Sequence, residues 1–280
     1  MNPIVITVIV LGVVGLIIGI VLGVAGKKLA VEVDERVVEV REVLPGNNCG
    51  ACGYPGCDGL SAAIAAGTAP VNACPVGGAA VAEKVAKIMG VDAAGREKKV
   101  AYVKCNGTCD KTKTYYEYAG VESCKMMPFV PGGGPKSCDF GCFGFGDCAA
   151  ACQFDAIHVV NGVAVVDKEK CTSCEACIKA CPQHLIELVP YEKRKKFHVT
   201  CNNKLRGKPV ITACDVGCIA CKKCENNCPK DAIHVENNLA AIDYDKCVGC
   251  SKCYQVCPRG TILSWEPLPP AQQRPSEKIS

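Results

Sequence analysis

The sequence is poor in aromatic side chains: Phe, Tyr and Trp together make up 5% of its 280 residues, and Trp occurs once. That scarcity argues against a nucleic-acid surface, because single strands are held by bases stacked on aromatic rings and none are interleaved with the basic residues here. No phosphate loop, dinucleotide fingerprint or nucleophile–base constellation is visible either. The nearest glycine run, Gly132-Gly133-Gly134, is closed between Pro131 and Pro135 and does not lead from a strand into a helix. No catalytic residue is therefore assigned. The net charge of +4 counts every cysteine as neutral. Thiolate ligation would make the chain more acidic, so this balance does not identify a partner.

Cysteine is what the chain has in quantity, with 25 residues. The number is odd and the residues fall in C-x2-C groups, so the pattern points to metal ligation in a reducing compartment rather than to a disulfide scaffold. With few aromatics and many short glycine-rich connections, the modules are expected to depend on their metal to fold.

The densest stretch carries Cys218, Cys221, Cys224 and Cys228-Pro229 as C-x2-C-x2-C-x3-C-P, and the same spacing returns at Cys247, Cys250, Cys253 and Cys257-Pro258. This resembles a two-cluster bacterial ferredoxin, in which the fourth cysteine of each run ligates the other run's cluster. The resemblance implies one 4Fe-4S cluster on Cys218, Cys221, Cys224 and Cys257 and another on Cys247, Cys250, Cys253 and Cys228.

An earlier copy precedes this stretch at a fixed offset of 76 residues. Asp155-Ala-Ile-His-Val159 returns as Asp231-Ala-Ile-His-Val235, and Cys171, Cys174, Cys177 and Cys181 return as the second run. Cys142, Cys148 and Cys152 match Cys218, Cys224 and Cys228, Cys138 matches Cys214, and Phe145 stands where Cys221 would be. Cys138, four residues before Cys142, is the substitute expected for the missing ligand. One cluster would then use Cys138, Cys142, Cys148 and Cys181, and the other Cys171, Cys174, Cys177 and Cys152. In both copies the Ala-Ile-His-Val segment and the Val/Ile-Asp pair after it read as a short hairpin. His158 and His234 sit at matching places on it and read as structural.

Nearer the N-terminus, Cys49, Cys52, Cys57 and Cys74 follow C-x2-C-x4-C-x16-C, set among Gly50, Gly53 and Gly56. Four thiolates at this spacing suit a 4Fe-4S cluster or zinc. Helices are expected over 33–44, 58–66 and 78–89. Cys105, Cys109, Cys124, Cys201 and Cys214 remain; four of them would complete a sixth cluster or a zinc site, and the alternative is free buried thiols. Val199-Thr-Cys201-Asn echoes Val103-Lys-Cys105-Asn.

Residues 4–25 contain no charge and are almost wholly Ile, Val, Leu and Gly, long enough as a helix to cross a bilayer, and Lys27 and Lys28 follow. That order places the rest of the chain on the cytoplasmic side of the cell membrane, held by a single pass. Gly15, Gly19 and Gly23 share one helix face suited to close contact with other membrane helices.

Membrane span, C-x2-C-x4-C-x16-C module and tandem ferredoxin-like units together resemble the B subunits of the Rnf complexes, over residues 1 to about 263. The fold expected is α+β: an anchor (1–28), an N-terminal 4Fe-4S domain (29–91), a cysteine-containing connector (92–135), a first ferredoxin-like unit (136–190), a basic linker (191–213), a second unit (214–264) and a proline-rich tail (265–280). The resemblance implies five 4Fe-4S clusters, with a sixth left open. It also implies electron transfer from soluble reduced ferredoxin toward NAD+ reduction, coupled to Na+ or H+ movement by the other membrane and peripheral subunits. The run Lys193-Arg194-Lys195-Lys196, followed by Lys204, Arg206 and Lys208, reads as a solvated loop, or as a docking surface for an acidic protein such as that ferredoxin. Two competing readings are a membrane-anchored polyferredoxin serving a hydrogenase or quinone reductase, and a zinc-bound interaction module.

Overall fold

A computed structural model describes residues 3–28, 34–92, 98–192, 196–269 and 273–274. Lys193, Arg194 and Lys195 of the basic run, and Val33 of the expected second helix, lie outside the described residues. The apolar N-terminal stretch forms one helix, α1 (Pro3–Lys28). Leu, Ile and Val occur on all its sides, and every side chain from Leu11 to Val24 is exposed. Side chains are described without a break only from Leu11 to Ala25, short of the ~20 residues a crossing needs. Among the described residues, no helix is long and apolar enough to cross a membrane.

The N-terminal module packs three helices, α2 (Glu35–Val43), α3 (Gly56–Ala65) and α4 (Gly78–Met89). Asp34 caps α2 by accepting the Arg36 N–H at 3.0 Å. The helix stops at Leu44, whose extended backbone is what the following Pro45 demands. α4 ends at Gly90, which takes the left-handed conformation open to glycine. Val40, Leu60, Ile64 and Val85 form the core, and Arg41 pairs with Asp58 at 2.5 Å to join α2 to α3.

The remaining chain builds two units of the same plan. The first has β1 (Lys99–Val103), α5 (Asp147–Ala150), β2 (Ile157–Val160), β3 (Val163–Val166), α6 (Ala176–Ala180) and β4 (Ile186–Pro190). The second has β5 (Phe197–Val199), α7 (Lys208–Ala213), α8 (Lys223–Asn226), β6 (Ile233–Glu236), β7 (Leu239–Ile242), α9 (Lys252–Val256) and β8 (Ile262–Ser264). The expected hairpins are present as β2–β3 and β6–β7, with His158 paired to Val165 and His234 to Ala241. Each histidine also turns back on the carbonyl of the Asp three residues earlier, at 3.1 Å in both copies.

Each unit has a second sheet that closes it end to end. β1 pairs with β4 (Ala101 opposite Leu188) and β5 pairs with β8 (His198 opposite Leu263). The stretches 92–135 and 191–213, expected as connector and linker, each supply a strand to a ferredoxin-like unit. The physical reason is that β4 and β8 would otherwise leave a bare edge over the core. The cores are small, built on Ile157, Val163, Leu185 and Ile186 in one unit and on Phe197, Ile233, Ala240 and Ile262 in the other. Cysteines fill much of the rest. Trp265 does not begin a free tail, because its ring lies 3.7 Å from that of His198 and Arg274 reaches back over Tyr254.

Candidate metal centres

The structure brings together three quartets within the two units. Cys218, Cys221, Cys224 and Cys257 ring one cavity, Cys228, Cys247, Cys250 and Cys253 a second, and Cys152, Cys171, Cys174 and Cys177 a third. The loops achieve this with a left-handed residue on each side of the second cysteine of each run: Ala220 (φ 56) and Lys222 (φ 57), Gly249 (φ 68) and Ser251 (φ 68), and Ser173 (φ 60) and Glu175 (φ 63). Such positions cost roughly 1–3 kcal/mol each in a non-glycine residue and persist where the surroundings over-determine them. The later residue of each pair caps a short helix, α8, α9 or α6, whose first turn carries the third cysteine inward. The residue four past the donated cysteine then turns its N–H to sulfur: Ala156 to Cys152 at 3.4 Å and Ala232 to Cys228 at 3.2 Å.

The degenerate copy departs from the sequence expectation. Cys142, Cys148 and Cys181 ring a cavity whose fourth cysteine is Cys124, and Cys138 does not line it. Cys124 opens a 3-10 helix (Cys124–Phe129) whose first N–H groups are held by Asp147: its carboxylate accepts Cys124 N at 3.1 Å, Lys125 N at 3.2 Å and the Ser123 hydroxyl at 2.9 Å. Phe145 packs edge-on against Tyr118 instead of supplying a ligand.

Cys138 is drawn the other way. The Ser137 hydroxyl donates to the Ala213 carbonyl at 3.0 Å, which ties this segment to the second unit. There Cys138 lines a further cavity with Cys105, Cys201 and Cys214. This cavity lies between the two units, and its cysteines come in matched pairs, Cys105 with Cys201 and Cys138 with Cys214. The Cys142 N–H donates to Cys105 Sγ at 3.4 Å, and the Cys218 N–H repeats the contact at Cys201 Sγ at 3.3 Å. Close by, Tyr102 of β1 and His198 of β5 meet with ring centroids 4.5 Å apart.

In the N-terminal module burial pushes the Cys74 thiol up, and the Gly77 N–H donates to its sulfur at 3.4 Å. Asn48 Oδ1 accepts the Cys57 N–H at 2.7 Å and fixes the start of α3, and Cys49 lies exposed on the same loop. One cysteine belongs to no group: Cys109 is exposed beside the β2–β3 turn, its N–H on the Asn161 carbonyl at 3.0 Å.

Five cavities thus have four cysteines each. Among the described residues, no three His, Cys, Asp or Glu side chains converge on a single metal ion; the sulfurs stand around a volume instead. That arrangement fits a cluster in which separate irons each take one thiolate. Burial pushes the Cys148, Cys177, Cys201, Cys224 and Cys253 thiols up to about 12. Ligation must therefore expel their protons, which couples cluster loading to proton release.

Comparison with known proteins identifies iron–sulfur domains in the chain. A family model for an Fe-S cluster matches residues 44–76, and one for a 4Fe-4S dicluster domain matches 170–232 and 217–261. The chain is 48% identical to the B subunit of the Na(+)-translocating ferredoxin:NAD(+) oxidoreductase complex of Acetobacterium woodii, over 88% of this chain and 73% of that one. It is 40% identical to the B subunit of the ion-translocating oxidoreductase complex of Methanosarcina acetivorans, over 83% and 87%. With the B subunit of the proton-translocating ferredoxin:NAD(+) oxidoreductase complex of Clostridium ljungdahlii it shares 42% over 87% and 85%. Cysteine cages, repeat plan and these extended relationships together establish that the chain belongs to the family of iron–sulfur B subunits of Rnf-type ion-translocating oxidoreductase complexes.

Proposed function

We propose that this chain carries six 4Fe-4S clusters and relays electrons from reduced ferredoxin toward NAD+ reduction within its complex. The observation that carries the count is the grouping of 20 cysteines into five quartets around cavities, to which the C-x2-C-x4-C-x16-C spacing of Cys49, Cys52, Cys57 and Cys74 adds a sixth set, leaving only Cys109 over. The ligand sets are Cys49, Cys52, Cys57 and Cys74; Cys124, Cys142, Cys148 and Cys181; Cys152, Cys171, Cys174 and Cys177; Cys105, Cys138, Cys201 and Cys214; Cys218, Cys221, Cys224 and Cys257; and Cys228, Cys247, Cys250 and Cys253. When bound, each cluster takes up and releases single electrons; the protein's part is to space and tune them. The names of the relatives in Acetobacterium and Clostridium support ferredoxin as donor and NAD+ as acceptor.

The reading includes a membrane anchor. α1 has 26 residues, about 39 Å at 1.5 Å per residue, against a hydrocarbon core of ~30 Å. The exposed Ile, Leu and Val side chains from Leu11 to Val24 need an apolar surrounding, and Lys27 and Lys28 support a cytoplasmic location for the clusters.

Iron and acid-labile sulfide analysis of the anaerobically purified chain tests the count: about 24 irons per chain are expected, and about 20 would remove the sixth cluster. Deleting the gene tests the role, with loss of membrane ferredoxin:NAD+ activity expected. Retained activity would assign the relay to another terminal enzyme.

A further inference from the structure

The site between the two units differs from the others in its walls. Of the eight buried polar or charged side chains among the described residues, four line this one cavity: Thr112, Lys136, Thr200 and Asn203. Thr112 Oγ1 donates to Cys214 Sγ at 3.6 Å and Asn203 Nδ2 to Cys138 Sγ at 3.5 Å. With the Cys142 and Cys218 amides on Cys105 and Cys201, every sulfur of the quartet accepts a hydrogen bond.

Lys136 is 8% exposed. Its ammonium donates to the Gly162 carbonyl at 2.6 Å and the Gly107 carbonyl at 3.3 Å, and no carboxylate pairs with it among the described residues. The lysines bordering neighbouring cavities are unlike it: Lys230 is exposed, and Lys222 is exposed and paired with Glu225 at 3.3 Å. A buried cation without an anionic partner costs several kcal/mol unless charge nearby compensates it. Among the described residues, no acidic side chain lines this cavity, so the compensating charge has to come from the thiolates and whatever they hold. The Cys142 N–H on Cys105 Sγ sets the neighbouring cysteine cage beside the one that Lys136 lines.

We propose that Lys136, assisted by the Thr112 hydroxyl, sets the reduction potential of the cluster at Cys105, Cys138, Cys201 and Cys214. The proposal rests on the six-cluster reading above. Reduction adds one electron, from ferredoxin in the complex or from dithionite in a titration, and with it one negative charge. Burial opposes that charge; a fixed ammonium and four sulfur hydrogen bonds offset the opposition and raise the potential. Cys142 places the neighbouring cluster within reach of the same ammonium, so a smaller effect is expected there.

The test is an EPR-monitored redox titration of the full chain, anaerobic and cluster-loaded, with iron measured on the same samples. In Lys136→Met one centre should become harder to reduce by at least about tenfold in its reduced-to-oxidised ratio at fixed potential, ~59 mV for one electron. A second should move less in the same direction, and four should stay. Lys136→Arg should keep the wild-type values. Centres that stay put in Lys136→Met, or Met and Arg variants that shift alike, overturn the proposal. If Lys136→Met loads poorly, Thr112→Val carries the test: one centre must move downward, and an unmoved centre overturns it. A wild-type count near 20 irons instead removes the site itself, which separates failure of the six-cluster reading from failure of this one.

Discussion

The Asp147 carboxylate accepts the backbone N–H of Cys124 at 3.1 Å, and this contact brings a cysteine from outside the repeat to the cavity of the degenerate copy. In the intact copy the matching position is Lys223, and the cysteine at the corresponding cavity is Cys221, within the loop. Asp147 also holds Ser123 and Lys125, so three donors lose their acceptor together in Asp147→Ala. Hydrogen bonds to a charged group contribute roughly 1.5–3 kcal/mol each, and these are partly exposed, so the lower end applies. We expect Asp147→Ala to purify with about four fewer irons, measured by iron analysis, and Asp147→Asn to lose fewer. Full loading of Asp147→Ala would show that Cys124 needs no anchor.

Cys124 and Cys138 give opposite outcomes under the ligand sets proposed above. Cys124→Ser should disturb the centre shared with Cys142, Cys148 and Cys181. Cys138→Ser should leave that one intact and disturb the centre between the units. EPR power saturation and redox titration of the two variants distinguish them, because different signals should disappear. Loss of the same signal in both would restore Cys138 to the first quartet. Cys109→Ser should load fully.

Much of this was legible because metal spacing is a short-range code. C-x2-C-x2-C-x3-C fixes which sulfurs meet within one loop, and the offset of 76 carried the pattern into a copy where one ligand had changed. The substitution by Cys124 was not legible: it depends on Asp147 reaching across 23 residues to a 3-10 turn that has no counterpart in the intact copy. The centre between the units was half legible. The echo of Cys105 in Cys201 and the match of Cys138 to Cys214 were both visible, but pairing those pairs requires knowing how two copies face each other. β1 and β5 escaped for a related reason: three to five residues without a turn signal become strands only because β4 and β8 need a partner. Buried His198 gave no sign either, since its surroundings are assembled from Tyr102, Tyr244 and Trp265.

The proposed anchor predicts a graded response in α1. A lysine at the centre of a spanning helix costs about 2.5–3.5 kcal/mol of insertion free energy. Ile17→Lys should therefore move part of the expressed chain from the membrane pellet to the supernatant, and Ile17→Leu should not. The cluster-dependent absorption of the released protein should be unchanged, because no cage residue lies in α1. An unaltered distribution for Ile17→Lys, or for the same change combined with Leu16→Lys, would separate α1 from membrane attachment.

His198 supplies the pH prediction. Burial, and after it the charge of Lys168, lowers its pKa to about 3. Its ring is pinned by the Tyr244 hydroxyl at 2.7 Å and stacked between Trp265 and Tyr102, and Lys168 lies over the Trp265 ring at 5.4 Å. No carboxylate faces it in these contacts. The folded state therefore holds His198 neutral, whereas the unfolded chain binds a proton there below its ordinary value near 6.5. Between about 6.5 and 3 the unfolded state carries more protons, so stability is full above this window and falls as pH drops through it. The slope is at most roughly 1.4 kcal/mol per pH unit for one group. Clusters are themselves acid-labile, so the measurement is a difference: anaerobic urea midpoints of wild type and His198→Phe at pH values on either side of 6.5. The wild type should lose more on acidification than His198→Phe, which keeps the ring contacts and removes the titration. Parallel losses in the two proteins would mean that His198 is protonated in the fold, and that the β5–β8 sheet, with Trp265 closing over it, admits the charge.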